Sequence, residues 1–151
     1  MGGAVGESLP RFDLATSGGG RLSSKQLAGK RTVLYFYPKD DTSGCTLEAH
    51  EFTSLLPRFK RKGVAVYGVS PDSATSHDRF TTKCGIAYPL ISDPDKQLCS
   101  AMGVWVEKSM YGRKYMGVER STFLIGADGA VEKQWRKVKP AGHAAEVLAS
   151  L

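Results

Sequence analysis

The hydrophobic pattern changes period several times along the chain, and each change marks an element. Residues 32–37, Thr-Val-Leu-Tyr-Phe-Tyr, form an unbroken run rich in β-branched and aromatic side chains. Such a run predicts a strand buried on both faces. Pro38 closes it, and a polar stretch from Lys39 to Gly44 follows. The period then lengthens. Ala49, Phe52, Leu56 and Phe59 recur at steps of three and four, so they share one face of a helix, with Cys45 on that face in the first turn. Pro57 has no amide proton to give a helix interior, which predicts a kink or an early stop.

Val64 to Val69 reads as a second buried strand, and Ser70-Pro71-Asp72 opens a helix reaching about Cys84, with Gly85 as its stop. Pro89-Leu90-Ile91 is a short strand, and Asp93-Pro94 opens a helix carrying Leu98, Ala101 and Met102. Val106 to Glu119 reads as a loop. Ser121 to Ile125 and Val131 to Val138 are strands joined at Ala127-Asp128-Gly129, and Gly142 to Leu151 is a closing helix. Ahead of all these, Phe12, Leu14 and Leu22 flank a Ser17-Gly18-Gly19-Gly20 tip, the pattern of a β-hairpin. The order ββαβαβαββα predicts an α/β protein. Its closing hairpin and helix fit a thioredoxin-like fold: a central mixed sheet flanked by helices, with an N-terminal β-hairpin. No repeat or linker divides residues 1–151, so one domain is expected.

Composition narrows the function classes. The chain has 151 residues, 41% apolar and 24% charged, which is ordinary for a globular protein with a core. No run of eighteen apolar residues predicts a membrane helix. The first residues lack the basic and apolar regions of a secretory signal. The cytoplasm is therefore expected, an organelle after transit-peptide removal being the alternative. The net charge of +6 raises the question of nucleic acid. The basic clusters Arg58, Lys60, Arg61, Lys62 and Lys133, Arg136, Lys137, Lys139 read first as solvated surface, and otherwise as a docking face for an acidic partner. Only Tyr111, Arg113, Lys114 and Tyr115 hint at the interleaved basic and aromatic residues of a nucleic-acid binder. Neither nucleic acid nor a membrane is expected as a partner.

Three cysteines, Cys45, Cys84 and Cys99, form no CxxC pair and no metal-like spacing. Glu48 stands where a CxxC motif starting at Cys45 would need its second cysteine, which argues against a dithiol oxidoreductase. Cys45 has the surroundings a nucleophile needs. A free cysteine titrates at about 8.5, and the thiolate is the reactive form. The first turn of a helix offers unpaired amides and a positive dipole end. Gly44 lets the backbone approach closely, Pro38 is placed to exclude water, and the Thr42 hydroxyl is within reach of the sulfur or of an oxygen bound to it.

Pro38-x-x-x-Thr42-x-x-Cys45, directly after a buried strand, resembles the peroxiredoxins, and Tyr35 to Thr46 resembles their PrxQ or bacterioferritin comigratory group. The resemblance extends over nearly the whole chain, through Leu90-Ile91-Ser92-Asp93, Gly103-Val104-Trp105 with Glu107-Lys108-Ser109, and Arg120 to Ile125. Ser43 departs from the family's usual proline. The resemblance implies a thiol peroxidase acting on hydrogen peroxide and organic hydroperoxides, without metal or organic cofactor. Cys45, Thr42, Arg120 and Pro38 would form its site, a thioredoxin-like protein its reductant, and a monomer its working form. Arg120 would stabilise both the thiolate and the charge that builds on peroxide oxygen. Phe36, Trp105 and Met110 are candidate borders for an organic substrate.

Recycling stays open at this point. Many members carry a second cysteine five residues after the first, where this chain has His50. Others place it in the next helix, which makes Cys84 a candidate, about one turn late. An external thiol is the alternative, and Cys99 reads as core filler.

Overall fold

The computed structural model describes residues 3–151. A short antiparallel hairpin opens it, β1 (Asp13–Ala15) and β2 (Arg21–Ser23), with Leu14 opposite Leu22. There follow β3 (Arg31–Phe36), α1 (Ser43–Arg61), β4 (Val64–Ser70), α2 (Ala74–Cys84), β5 (Leu90–Ser92) and α3 (Gln97–Ala101). The last part holds β6 (Trp105–Met110), β7 (Arg113–Val118), β8 (Ser121–Ile125), β9 (Val131–Trp135) and α4 (His143–Ala149).

Five strands make the central sheet in the order β5-β4-β3-β8-β9. β3 pairs in parallel with β4 and antiparallel with β8, so the sheet is mixed. The two β-α-β crossovers step the same way across the sheet, and right-handed connections then set α1 and α2 on one face. Strand alternation divides the core. Val33, Tyr35 and Tyr37 face α1, α4 and Phe80 of α2, whereas Leu34 and Phe36 face α3, the opening hairpin and the base of β6–β7. A strand buried on both faces was the expectation for residues 32–37, and this is its cause.

Three expectations change. The 106–119 segment is not a loop but the two-stranded hairpin β6–β7, which adds strands to the expected order. Tyr111 and Gly112, both at positive φ (53° and 76°), make the tight turn between them. The helix expected to kink or stop early at Pro57 runs on to Arg61. Its last turn is held by Phe59, fully buried against the sheet. Burying such a side chain is worth about 1.5–3 kcal/mol, comparable to the cost of about 3 kcal/mol for an interior proline. The helices expected from Ser70 and Asp93 begin later, at Ala74 and Gln97. Ser73 caps the first by accepting the Ser76 amide at 3.1 Å. Asp93 accepts the Leu98 and Cys99 amides of the second at 3.2 and 2.8 Å. Gly85, left-handed at φ 64°, ends α2 as expected.

Candidate active site at the start of the first helix

Chain order brings the site together at the C-terminal end of β3. Tyr37 continues the strand by donating its amide to Val69 O at 3.0 Å, and Pro38, which has no amide, ends the pairing. Thr42 is extended (φ −90°, ψ 158°) and α1 starts at Ser43, so Cys45 is the third helical residue. The Thr46 amide closes the first turn on Thr42 O at 2.8 Å. The amides of residues 43–45 precede any intrahelical acceptor, and the Thr42 side chain does not cap them. That hydroxyl donates to Lys39 O instead, at 3.1 Å. Its oxygen lone pairs are left to accept.

Arg120 reaches the same place from the neighbouring strand. Ser121 pairs with Phe36, so Arg120 flanks the end of β3, and the Val138 amide bonds its carbonyl at 2.8 Å. Its Nη2 donates to Cys45 Sγ at 3.2 Å, and its Nη1 donates to Glu48 Oε1 at 2.6 Å. One guanidinium thus spans two side chains three residues apart on one helix face. Gly44 makes room for it: a β-carbon there would stand 3.3 Å from both Arg120 Nη2 and Pro140 Cγ.

Burial raises the question of charge. Cys45 is 1% exposed and Glu48 is fully buried. Desolvation pushes the Glu48 carboxyl up to about 7, against the pull of Arg120. Its second oxygen, Oε2, has no hydrogen-bond partner among the described residues. Burial disfavours the Arg120 cation, but Glu48 and Cys45 more than offset this and hold it above the ordinary arginine range. Lys108 on β6 is held below the ordinary lysine range by burial and then by the Arg120 cation.

The structure places the remaining sequence candidates as follows. Pro38 is half-buried beside the loop, and His50 points to solvent. Cys84, the last residue of α2, packs half-buried against the same core as Cys45. Cys99 lies buried in the core of the opposite face, where burial and then Asp93 push its thiol far up. Phe36 is buried in that opposite core and the partly buried Trp105 packs against it, whereas Cys45 belongs to the core facing α1. Met110 is exposed on the β6–β7 hairpin. Among the described residues, no three His, Cys, Asp or Glu side chains gather as for a metal.

Sequence reasoning passed over Glu48. Its signal was there: a carboxylate one helical turn from Cys45, beside Ala49 on the buried face. It also passed over Asp40 and His77, whose side chains meet only in the folded chain.

Comparison with known proteins fixes the family. Residues 5–134 match the AhpC/TSA family model. This chain is a peroxiredoxin of the PrxQ group and belongs to that family. The peroxiredoxin is 52% identical to Peroxiredoxin Bcp of Xanthomonas campestris pv. campestris over 142 residues, 93% of this chain and 89% of that one. It is 42% identical to Peroxiredoxin Bcp of Bacillus subtilis over 147 residues, covering 97% and 94%. A structure of the Xanthomonas campestris bacterioferritin comigratory protein, described for its alkyl peroxide reduction activity, superposes with a TM-score of 0.88 at 50% identity, covering 92% and 88%. A cysteine-to-serine mutant of Xylella fastidiosa PrxQ superposes at 0.93 with 44% identity, covering 97% and 94%. No helix among the described residues is long and apolar enough to cross a membrane.

Proposed function

We propose that Cys45 is the thiol through which this thiol peroxidase reduces hydroperoxides. The observation that carries the reading is the 3.2 Å contact from Arg120 Nη2 to Cys45 Sγ at the open first turn of α1. A guanidinium and unpaired amides favour an anionic sulfur. The thiolate attacks one peroxide oxygen. An S–O bond forms as the O–O bond breaks, sulfur loses two electrons, and the other oxygen leaves as hydroxide or alkoxide, which takes up a proton. Arg120 and the first-turn amides stand where that negative charge builds. The Thr42 hydroxyl, already donating to Lys39 O, accepts the hydrogen of the incoming hydroperoxide. Pro38 shields the loop side.

The sulfenic acid then condenses with a thiol, releasing water and forming a disulfide. Cys84 is the internal candidate, because its side chain packs on the same core face as Cys45, whereas Cys99 faces the other side of the sheet. A thioredoxin-like protein reduces the resulting bond. The similar Xanthomonas campestris protein is described for alkyl peroxide reduction, which supports organic hydroperoxides beside hydrogen peroxide as substrates. One domain over residues 1–151, working as a monomer in the reducing cytoplasm, completes the reading.

Cys45→Ser removes the nucleophile and abolishes peroxide consumption; activity retained by that variant overturns the assignment. A nonreduced digest after one equivalent of peroxide tests the recycling. A Cys45–Cys84 disulfide is expected. A mixed disulfide with an added thiol and no internal bridge makes this a single-cysteine enzyme resolved from outside.

A further inference from the structure

The loop that carries Thr42 over Cys45 is tied to α2 by one buried side chain. Asp40 is 7% exposed, and both its carboxylate oxygens are engaged. Tyr37 Oη donates to Oδ1 at 2.7 Å, and Ser76 Oγ donates to Oδ2 at 2.7 Å. His77 Nδ1 stands 2.8 Å from Oδ2, and its Nε2 stands 2.9 Å from Ile91 O. Through these two contacts the fully buried imidazole joins the loop, α2 and β5. The Asp40 amide in turn donates to Asp72 Oδ2 at 2.8 Å. The next residue repeats the tie at the surface: Asp41, left-handed at φ 61°, accepts Lys83 Nζ at 2.8 and 3.0 Å. Ser76, His77 and Lys83 all stand on α2, the helix that ends in Cys84.

This arrangement has a consequence for the second half of the cycle. Cys45 is 1% exposed beneath Arg120, so a sulfenic acid formed there cannot meet another thiol while the first turn of α1 stays in place. A disulfide needs the two Cα atoms within about 7 Å. The loop must therefore let go before the sulfur is released. We propose that Asp40 is the positioning residue of this step. By holding Tyr37, Ser76 and His77 together it locks the 38–42 loop in the peroxide-reducing arrangement, and that lock opens for the sulfenic acid to reach a thiol. The inference rests on Cys45 being the peroxide-reducing thiol. Burial works against the Asp40 anion, yet the hydrogen bonds from His77, Tyr37 and Ser76 outweigh it and hold the carboxyl below its ordinary range, as expected of a satisfied network.

The test compares Asp40→Asn with Tyr35→Phe. The second variant removes an equally buried hydrogen bond, Tyr35 Oη to Tyr88 Oη at 2.6 Å, that does not touch the loop. Both are built on a Cys84→Ser background, so every captured thiol is an added one. Stopped-flow gives the rate of reaction with hydrogen peroxide. Quenched mass spectrometry gives the rate at which the Cys45 sulfenic acid is captured by 2-mercaptoethanol. Asp40→Asn is expected to slow peroxide reduction by about tenfold through lost positioning, and to speed capture severalfold. Tyr35→Phe lowers thermal stability and leaves both rates within about twofold. Equal effects of the two variants on both rates, or slower capture in Asp40→Asn, overturn the proposal. If Asp40→Asn does not fold, Ser76→Ala, which deletes a single donor to Asp40, decides it: opposite changes of about two- to threefold in the two rates support the lock, and unchanged rates exclude it. A background protein that does not react with peroxide would instead refute the Cys45 assignment itself.

Discussion

Replacing Glu48 with glutamine isolates the buried carboxyl beneath the site. The side chain is fully buried, and burial raises its carboxyl from 4.5 to about 7. Below about pH 4.5 the group carries its proton in both the folded and the unfolded chain, and it contributes nothing to the pH dependence. Between 4.5 and 7 the unfolded chain has released the proton and the folded chain still holds it, so rising pH favours unfolding. Above about 7 both forms are ionised and the full penalty is present. A difference of this size, at 1.36 kcal/mol per pH unit, corresponds to about 3 kcal/mol. Glutamine keeps an acceptor for Arg120 Nη1 and cannot ionise.

The quantity to follow is therefore the stability of Glu48→Gln minus that of the native protein, which also cancels the other carboxylates. Asp40 acts in the opposite direction: its lowered carboxyl contributes stability at neutral pH that is lost as the pH falls through its folded value. Urea unfolding of the reduced proteins at pH 4.5, 6 and 8 gives this difference. It should rise in favour of the variant by about 3 kcal/mol from the lowest to the highest pH, a relative midpoint shift of about 1.5 M at an m-value of roughly 2 kcal/mol/M. A flat difference across that range would mean that Glu48 ionises at its ordinary value and that burial does not raise it.

Three further substitutions probe the same geometry. Arg120→Lys keeps the charge but cannot bond Cys45 and Glu48 with one planar fork, and kcat/KM for hydrogen peroxide should fall about a hundredfold; a loss below threefold in stopped-flow would contradict the bridging role. Gly44→Ala puts a β-carbon 3.3 Å from Arg120 Nη2 while improving helix propensity, so peroxide reduction should slow about tenfold with stability unchanged or raised by about 1 kcal/mol. Phe52→Ala removes the ring stacked on Tyr35 at 4.6 Å, and urea unfolding should show a loss of about 3–5 kcal/mol.

The parts of this protein that were legible in its sequence are those set by local pattern. The 32–37 run could only be satisfied by burial on both faces, and the 45–59 spacing put Cys45 on the inward face of a helix start. Gly85 marked a left-handed stop. The parts that were not legible depend on contacts between distant segments. Pro57 argued for a helix end, and Phe59 overrode it from the core. The β6–β7 hairpin was hidden because its turn, Tyr111-Gly112, uses an aromatic residue at positive φ where glycine or asparagine is the usual sign. Glu48 shows its place on the buried face by spacing, but its partner is hidden, because Arg120 arrives from 72 residues away. Asp40 and His77 are 37 residues apart and gave no local signal at all. Arg120 itself was named by resemblance, because spacing cannot place a side chain that crosses from a neighbouring strand.

The most direct test is a single turnover. The fully reduced protein is mixed with one equivalent of hydrogen peroxide, the sulfenic acid is trapped with a 1,3-dione, and the adduct is mapped by mass spectrometry beside a Cys45→Ser control. One peroxide is consumed per chain, the adduct falls on Cys45 with none on Cys99, and the control consumes no peroxide. Peroxide consumed at the native rate by Cys45→Ser, or a primary adduct on Cys84 or Cys99, would contradict the assignment of Cys45.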